Sequence, residues 1–144
     1  MKKLSVIIVI LVGVLFLTGC GESKVKFDFD KAQNTIESEL SGMKDIKKDT
    51  LEDVYGLDLS IMEKYVFKQN EDGDFYAIIK TNNVDSVKDN MNDYFDKVQK
   101  FNKNYSPERI KMLDNRLEKE IDDYLVYIVA KDADSIYEKI TKNM

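Results

Sequence analysis

The chain contains no histidine and no tryptophan, a single cysteine and a single proline. It has only two arginines, Arg109 and Arg116. Each shortage excludes something. Without histidine there is no Ser-His or Cys-His nucleophile pair, no imidazole acid–base catalyst and no ordinary zinc site. With one thiol, Cys20, no internal disulfide can form. What remains for chemistry is carboxylate, lysine, tyrosine and serine. No spacing of these makes a recognisable catalytic constellation, and the sequence implies neither a metal nor a cofactor. The expectation is therefore a non-enzymatic protein.

Charge points the same way. The whole chain carries 22 basic and 27 acidic residues, a net of −5. A chain beginning at Cys20 loses Lys2 and Lys3, leaving 20 basic residues against 27 and a net of −7. Such a balance disfavours nucleic acid and flat adsorption on anionic lipid.

Long apolar runs are also scarce, with one exception at the start. Met1-Lys2-Lys3 is positive, and Leu4 to Leu17 is apolar except for Ser5 and Gly13. That run has the length of a signal-peptide core and is shorter than the 18 or so residues of a spanning helix. Leu17-Thr18-Gly19-Cys20 follows. This tetrad resembles the bacterial lipobox, an aliphatic residue and two small ones before a cysteine. The resemblance implies that the Cys20 sulfur receives a diacylglycerol and that a peptidase cuts between Gly19 and Cys20. Whether the new amine is also acylated is left open. A buried Cys20, or a permanent membrane helix, is the alternative. Residues 1–19 are thus expected to be a signal peptide, 20–27 a tether, and 28–144 one domain. A mature chain of this length buries about two-thirds of its unfolded surface, enough for one core.

Along the domain the hydrophobic period predicts the elements. Phe29, Ala32, Ile36, Leu40 and Met43 mark a helix capped by Asp28 or Asp30. Asp45 to Thr50 reads as a charged connector, Thr50 to Gly56 as a turn, and Leu59 to Lys64 as a short helix capped by Asp58. Tyr65–Lys68 and Phe75–Lys80 read as strands. Asp72-Gly73 between them is a hairpin signal, since both residues accept positive φ. The same acidic loop invites a calcium reading. With Gly73 at the sixth place of an EF-hand loop, however, Lys68 and Ile79 fall where carboxylates belong.

Val84, Val87, Met91, Tyr94, Phe95, Val98, Phe101 and Tyr105 form one face of a long helix. That face could dock on a membrane or partner, but reads more simply as core-facing. Ser106 and Pro107 open another helix. Leu117 to Ile121 and Tyr124 to Ala130 are strands about an Asp122-Asp123 turn, the second apolar enough to be covered on both faces. A last helix carries Ile136, Tyr137 and Ile140. The fold class is thus α+β: an antiparallel sheet of about four strands, two hairpins, packed against helices in the order α-α-β-β-α-α-β-β-α.

This order, with the lipobox, is similar to the small bacterial lipoproteins of the domain-of-unknown-function 4358 family. The residues that carry the resemblance are Tyr55-Gly56-Leu57-Asp58, Tyr76 to Lys80, Tyr105-Ser106-Pro107-Glu108, and the final strand with Ala133 and Ile136. It covers roughly Phe29 to Ile140. The Asp122-Asp123 turn departs from the glycine-containing turn usual in such proteins. The resemblance implies a lipoprotein of Gram-positive type and an α+β domain; it implies no activity and carries over no catalytic residue.

The functional expectation is a lipid-anchored extracytoplasmic protein acting as a non-catalytic binding or interaction module at the outer face of the cytoplasmic membrane. Its partner is unknown, and nucleic acid is excluded. Tyr55, Tyr65, Tyr76, Tyr105 and Tyr127 are candidate binding aromatics. The alternatives are a cell-wall or polysaccharide enzyme using two carboxylates, which requires a cleft holding a partly buried acidic pair, and a small inhibitor of an external hydrolase. An inhibitor needs a rigid presenting loop, and the Asp72-Gly73 hairpin and the Asn102–Pro107 corner are the candidates.

Overall fold

The computed structural model describes residues 26–104 and 106–144. Gly19 and Cys20, the expected cleavage and lipid-attachment positions, the rest of segment 1–25, and Tyr105 lie outside the described residues.

Five strands form one antiparallel sheet: β1 (Lys44–Asp45), β2 (Lys64–Gln69), β3 (Phe75–Lys80), β4 (Leu117–Ile121) and β5 (Tyr124–Val129), in the order β1-β2-β3-β5-β4. Helices α1 (Phe29–Glu39) and α4 (Ala133–Lys142) cover one face, and α2 (Val84–Asn102) and α3 (Pro107–Asp114) the other. The α+β reading holds. One strand was not anticipated: β1 lies in the stretch read as a charged connector. Its two residues pair with Lys68 and Gln69 and continue into the Ile46 N–H bond to the Phe67 carbonyl. Both residues of β1 are exposed, so no alternation of polarity announces it.

The sheet is apolar on both sides because β3 and β5 alternate between two cores. Ala77, Ile79, Leu125, Tyr127 and Val129 meet the α2 stripe of Val87, Met91, Tyr94, Phe95 and Val98. Tyr76, Ile78, Val126 and Ile128 meet Ala32 and Ile36 of α1 and Ile136 and Ile140 of α4. Each of these large side chains contributes about 1.5–3 kcal/mol by leaving water. The α2 stripe is core-facing, with one exception. Phe101, in its last turn, is 57% exposed.

Local chemistry sets the ends of the elements. Asp28 accepts from the Lys31 N–H and Asp58 from the Ser60 N–H, each satisfying an orphan helix donor. The second of these starts a single 3-10 turn, Leu59–Ile61, shorter than the helix expected there, because Lys64 is already recruited into β2 opposite Lys80. Ser106 accepts from the Glu108 N–H, with Pro107 in the first turn of α3. At the hairpins, Ile121 pairs with Tyr124 around Asp122, whose φ is 54°. The β2–β3 loop is not a two-residue turn. Asn70 pairs with Asp74, enclosing three residues of which Gly73 alone has positive φ, at 92°. That is the geometry of a tight turn followed by a left-handed glycine.

Tyr55-Gly56-Leu57-Asp58 closes a π turn at Thr50–Val54. Gly56 sits at φ 69°, and its N–H bonds the Glu52 carbonyl. Lys97 of α2 reaches under this turn and donates to the Tyr55 carbonyl at 2.8 Å. A Cβ at position 56 would lie 2.7 Å from that Lys97 Nζ. Gly56→Ala should therefore destabilise the domain by about 2 kcal/mol, from left-handed strain plus a weakened charged hydrogen bond. The check is a fall in urea midpoint at unchanged m-value. An unchanged midpoint would show that Lys97 yields at no cost.

Candidate functional site

Strand direction assigns each loop to one of two ends of the sheet. β3 begins at Phe75, opposite Val129, and ends at Lys80, opposite Tyr124. The 70–74 loop, the residues following β5, the C-terminus of α1 and the start of α3 therefore share one end. There they enclose a groove of about 650 Å³. The other end holds the Asp122-Asp123 turn, Thr81 and Phe27.

The groove is polar and its walls are braced. Asn70 does most of the bracing: its Oδ1 accepts from the Asp74 N–H, and its Nδ2 donates to Asp74 Oδ2 at 2.9 Å and to the Ser41 carbonyl at 3.1 Å. The side chain of Arg109 lies across Gly73. A Cβ there would come within 3.0 Å of Nε and 3.2 Å of Cδ, so glycine serves both the positive φ and this approach. Lys131, beyond β5, pairs with Glu108 at 2.8 Å. Lys139 holds Glu39 at 2.7 Å, and Lys44 holds Glu71 at 3.2 Å. The Lys131 hydrogen bond pushes the Glu108 pKa below the usual carboxylate range. A general acid needs the opposite shift. Ser106 is occupied as the α3 cap. The arrangement offers hydrogen-bonded polar groups and shape.

The acidic loop is not built as an EF-hand. Lys68 is paired with Tyr76 in the sheet, and Ile79 is fully buried. Among the described residues, no group of three or more histidine, cysteine, aspartate or glutamate side chains is placed to hold a metal ion. Among them, too, no helix is long and apolar enough to cross a membrane.

The four described candidate tyrosines do not converge. Tyr127 is buried against Phe95 on the α2 face, with ring centroids 5.8 Å apart. Tyr76 is fully buried on the opposite face. Tyr55 is half-buried, its ring 4.8 Å from Tyr94 and 6.0 Å from Phe101. Tyr65 is exposed on β2, 5.8 Å from Phe67.

One polar cluster was missed entirely. Glu37 Oε1, on α1, accepts from Tyr76 Oη at 2.5 Å, Lys68 Nζ at 2.7 Å and Gln33 Nε2 at 3.0 Å. Burial alone would raise the Glu37 pKa, but the three donors and the Lys68 charge outweigh it, and the net shift is downward. Burial, and then the bond to Glu37, push the Tyr76 hydroxyl up. A tyrosine so shifted is no base at neutral pH; the cluster ties α1 to β2 and β3. Only the i, i+4 spacing of Gln33 and Glu37 was visible in sequence.

Compared with known families, residues 36–130 match the model described as Domain of unknown function (DUF4358). No curated protein and no solved structure matches the chain.

Proposed function

This chain belongs to the DUF4358 family, and on that premise we propose that it is a lipid-anchored, non-catalytic binding module at the outer face of the cytoplasmic membrane. The observation that carries the anchor is the tetrad Leu17-Thr18-Gly19-Cys20 behind two lysines and a short apolar run. Two acyl chains on Cys20 are enough for stable attachment without a spanning helix, at about 0.8 kcal/mol per buried methylene. Binding in place of catalysis is supported by the groove. Of its six carboxylates, Glu39, Glu71 and Glu108 are paired with lysines and Asp74 is held by Asn70. Asp72 and Asp132 are exposed. The 70–74 loop, tied down by the Asn70 hydrogen bonds, presents a surface that a partner could recognise at reduced ordering cost.

The test is growth with a clickable fatty acid and mass measurement of the mature N-terminus. The expected result is labelled protein beginning at Cys20. Unlabelled protein, or an N-terminus still at Met1, would sink the anchor reading. Cross-linking of intact cells through the 70–74 loop tests the binding half: a specific adduct lost on swapping the loop sequence is expected.

A further inference from the structure

The described chain enters the domain at a fixed point. Phe27 is buried, its N–H donates to Asp122 Oδ2 at 3.0 Å, and its ring lies 4.7 Å from that of Tyr124. Among the described residues the core thus begins at Phe27, and Lys26 before it is exposed. This pin sits at the Asp122-Asp123 end of the sheet, where Thr81 N–H also bonds the Asp123 carbonyl. α1 starts there, with Phe29 6.2 Å from Tyr124, and runs to Glu39 in the wall of the groove. The pin and the groove are therefore separated by the length of the sheet, about 20 Å for six-residue strands.

Resting on the lipid anchor proposed above, we infer that the Asp122-Asp123 end of the domain faces the bilayer and that the groove end points away from it. Cys20 to Phe27 is seven residue steps, at most about 25 Å of chain. The pin end can meet the headgroups without using the full length of that chain. The groove end reaches them only if nearly the whole tether is pulled straight back along the domain, an arrangement with few conformations and a correspondingly high entropic cost. Charge adds little to this ordering: at the pin end Lys80 lies 3.4 Å from both Glu63 and Asp123, and Lys64 3.4 Å from Asp30, so cations and carboxylates there largely offset one another. The groove is thereby offered to partners on the far side of the domain, and withheld from the membrane that holds Cys20.

The experiment uses the full chain, purified from the membrane in its lipidated form and reconstituted in vesicles of neutral and anionic phospholipid. With Cys20 acylated, an engineered cysteine is the sole thiol for a fluorophore. Asn82→Cys places it at the pin end and Asp72→Cys at the groove end; both positions are exposed. Headgroup-attached nitroxide should quench the fluorophore at position 82 at least threefold more than that at position 72. Inserting about 20 Gly/Ser residues after Lys26 should level the two, since such a chain spans roughly 25 Å as a coil and more when stretched. Equal or reversed quenching on protein that still floats with the vesicles overturns the orientation. An undiminished difference with the long tether would overturn the short tether as the cause of the orientation, since only direct lipid contact could then maintain it. Protein that does not float removes the anchor itself, and the orientation with it.

Discussion

Cys20→Ser should reduce fatty-acid labelling to background and leave no N-terminus at position 20. Lipid transfer requires the side chain at that position to attack as a nucleophile. A thiol of ordinary pKa supplies a small fraction of thiolate at neutral pH, and a thiolate is intrinsically very reactive, whereas a serine hydroxyl remains protonated. Because the cut follows lipid transfer, the variant should either keep residues 1–19 or be trimmed elsewhere and released. Stability should not change, since among the described residues the core begins at Phe27, seven positions beyond the altered residue. The readouts are gel fluorescence of the clicked acid, intact mass, and thermal unfolding of residues 24–144 as the reference domain. Labelling of Cys20→Ser at wild-type level would place the lipid on another atom and overturn the assignment.

Glu37→Ala should be the most destabilising polar substitution in the domain, by about 2–3 kcal/mol, or roughly 10 °C in Tm. One carboxylate oxygen takes three donors, so its removal strands two of consequence. The Tyr76 hydroxyl loses its acceptor, and Lys68, whose side chain is 14% exposed, keeps only Asp45 at 3.9 Å. Exposed pairs such as Lys142–Glu138 should be worth a few tenths by comparison. Glu37→Ala combined with Tyr76→Phe should cost less than the sum of the two, because the second change removes the stranded hydroxyl.

The pH dependence has a definite sign. Glu37 has a folded pKa below its unfolded value, so its contribution is complete above the ordinary glutamate range and is lost as pH falls through the folded value. Wild type should lose more stability than Glu37→Ala between neutral pH and about pH 3, and urea midpoints at the two pH values measure the difference. Parallel loss in both proteins would show that Glu37 titrates as if unpaired.

Much of the architecture was legible because it is written in local chemistry. Strand and helix periods follow from which side chains must leave water, and both hairpins, the Ser106-Pro107 start and the Asp58 cap need only neighbouring residues. The tetrad Leu17-Thr18-Gly19-Cys20, on which the proposed lipid anchor rests, is likewise local. What tertiary structure alone decided is what depends on partners distant in sequence. β1 exists because the exposed edge of β2 at Lys68 and Gln69 has free backbone groups to pair, not because Lys44 and Asp45 favour a strand. Tyr76 and Tyr127 are of one type on neighbouring strands, yet the sheet's pleat sends one toward Glu37 and the other toward Phe95. The groove draws on α1, the 70–74 loop, α3 and the residues after β5. Its place at the end opposite Phe27 follows from the antiparallel pairing of β3 with β5, since strand direction assigns every loop to one end or the other, and side-chain polarity, which reports only burial, does not encode it.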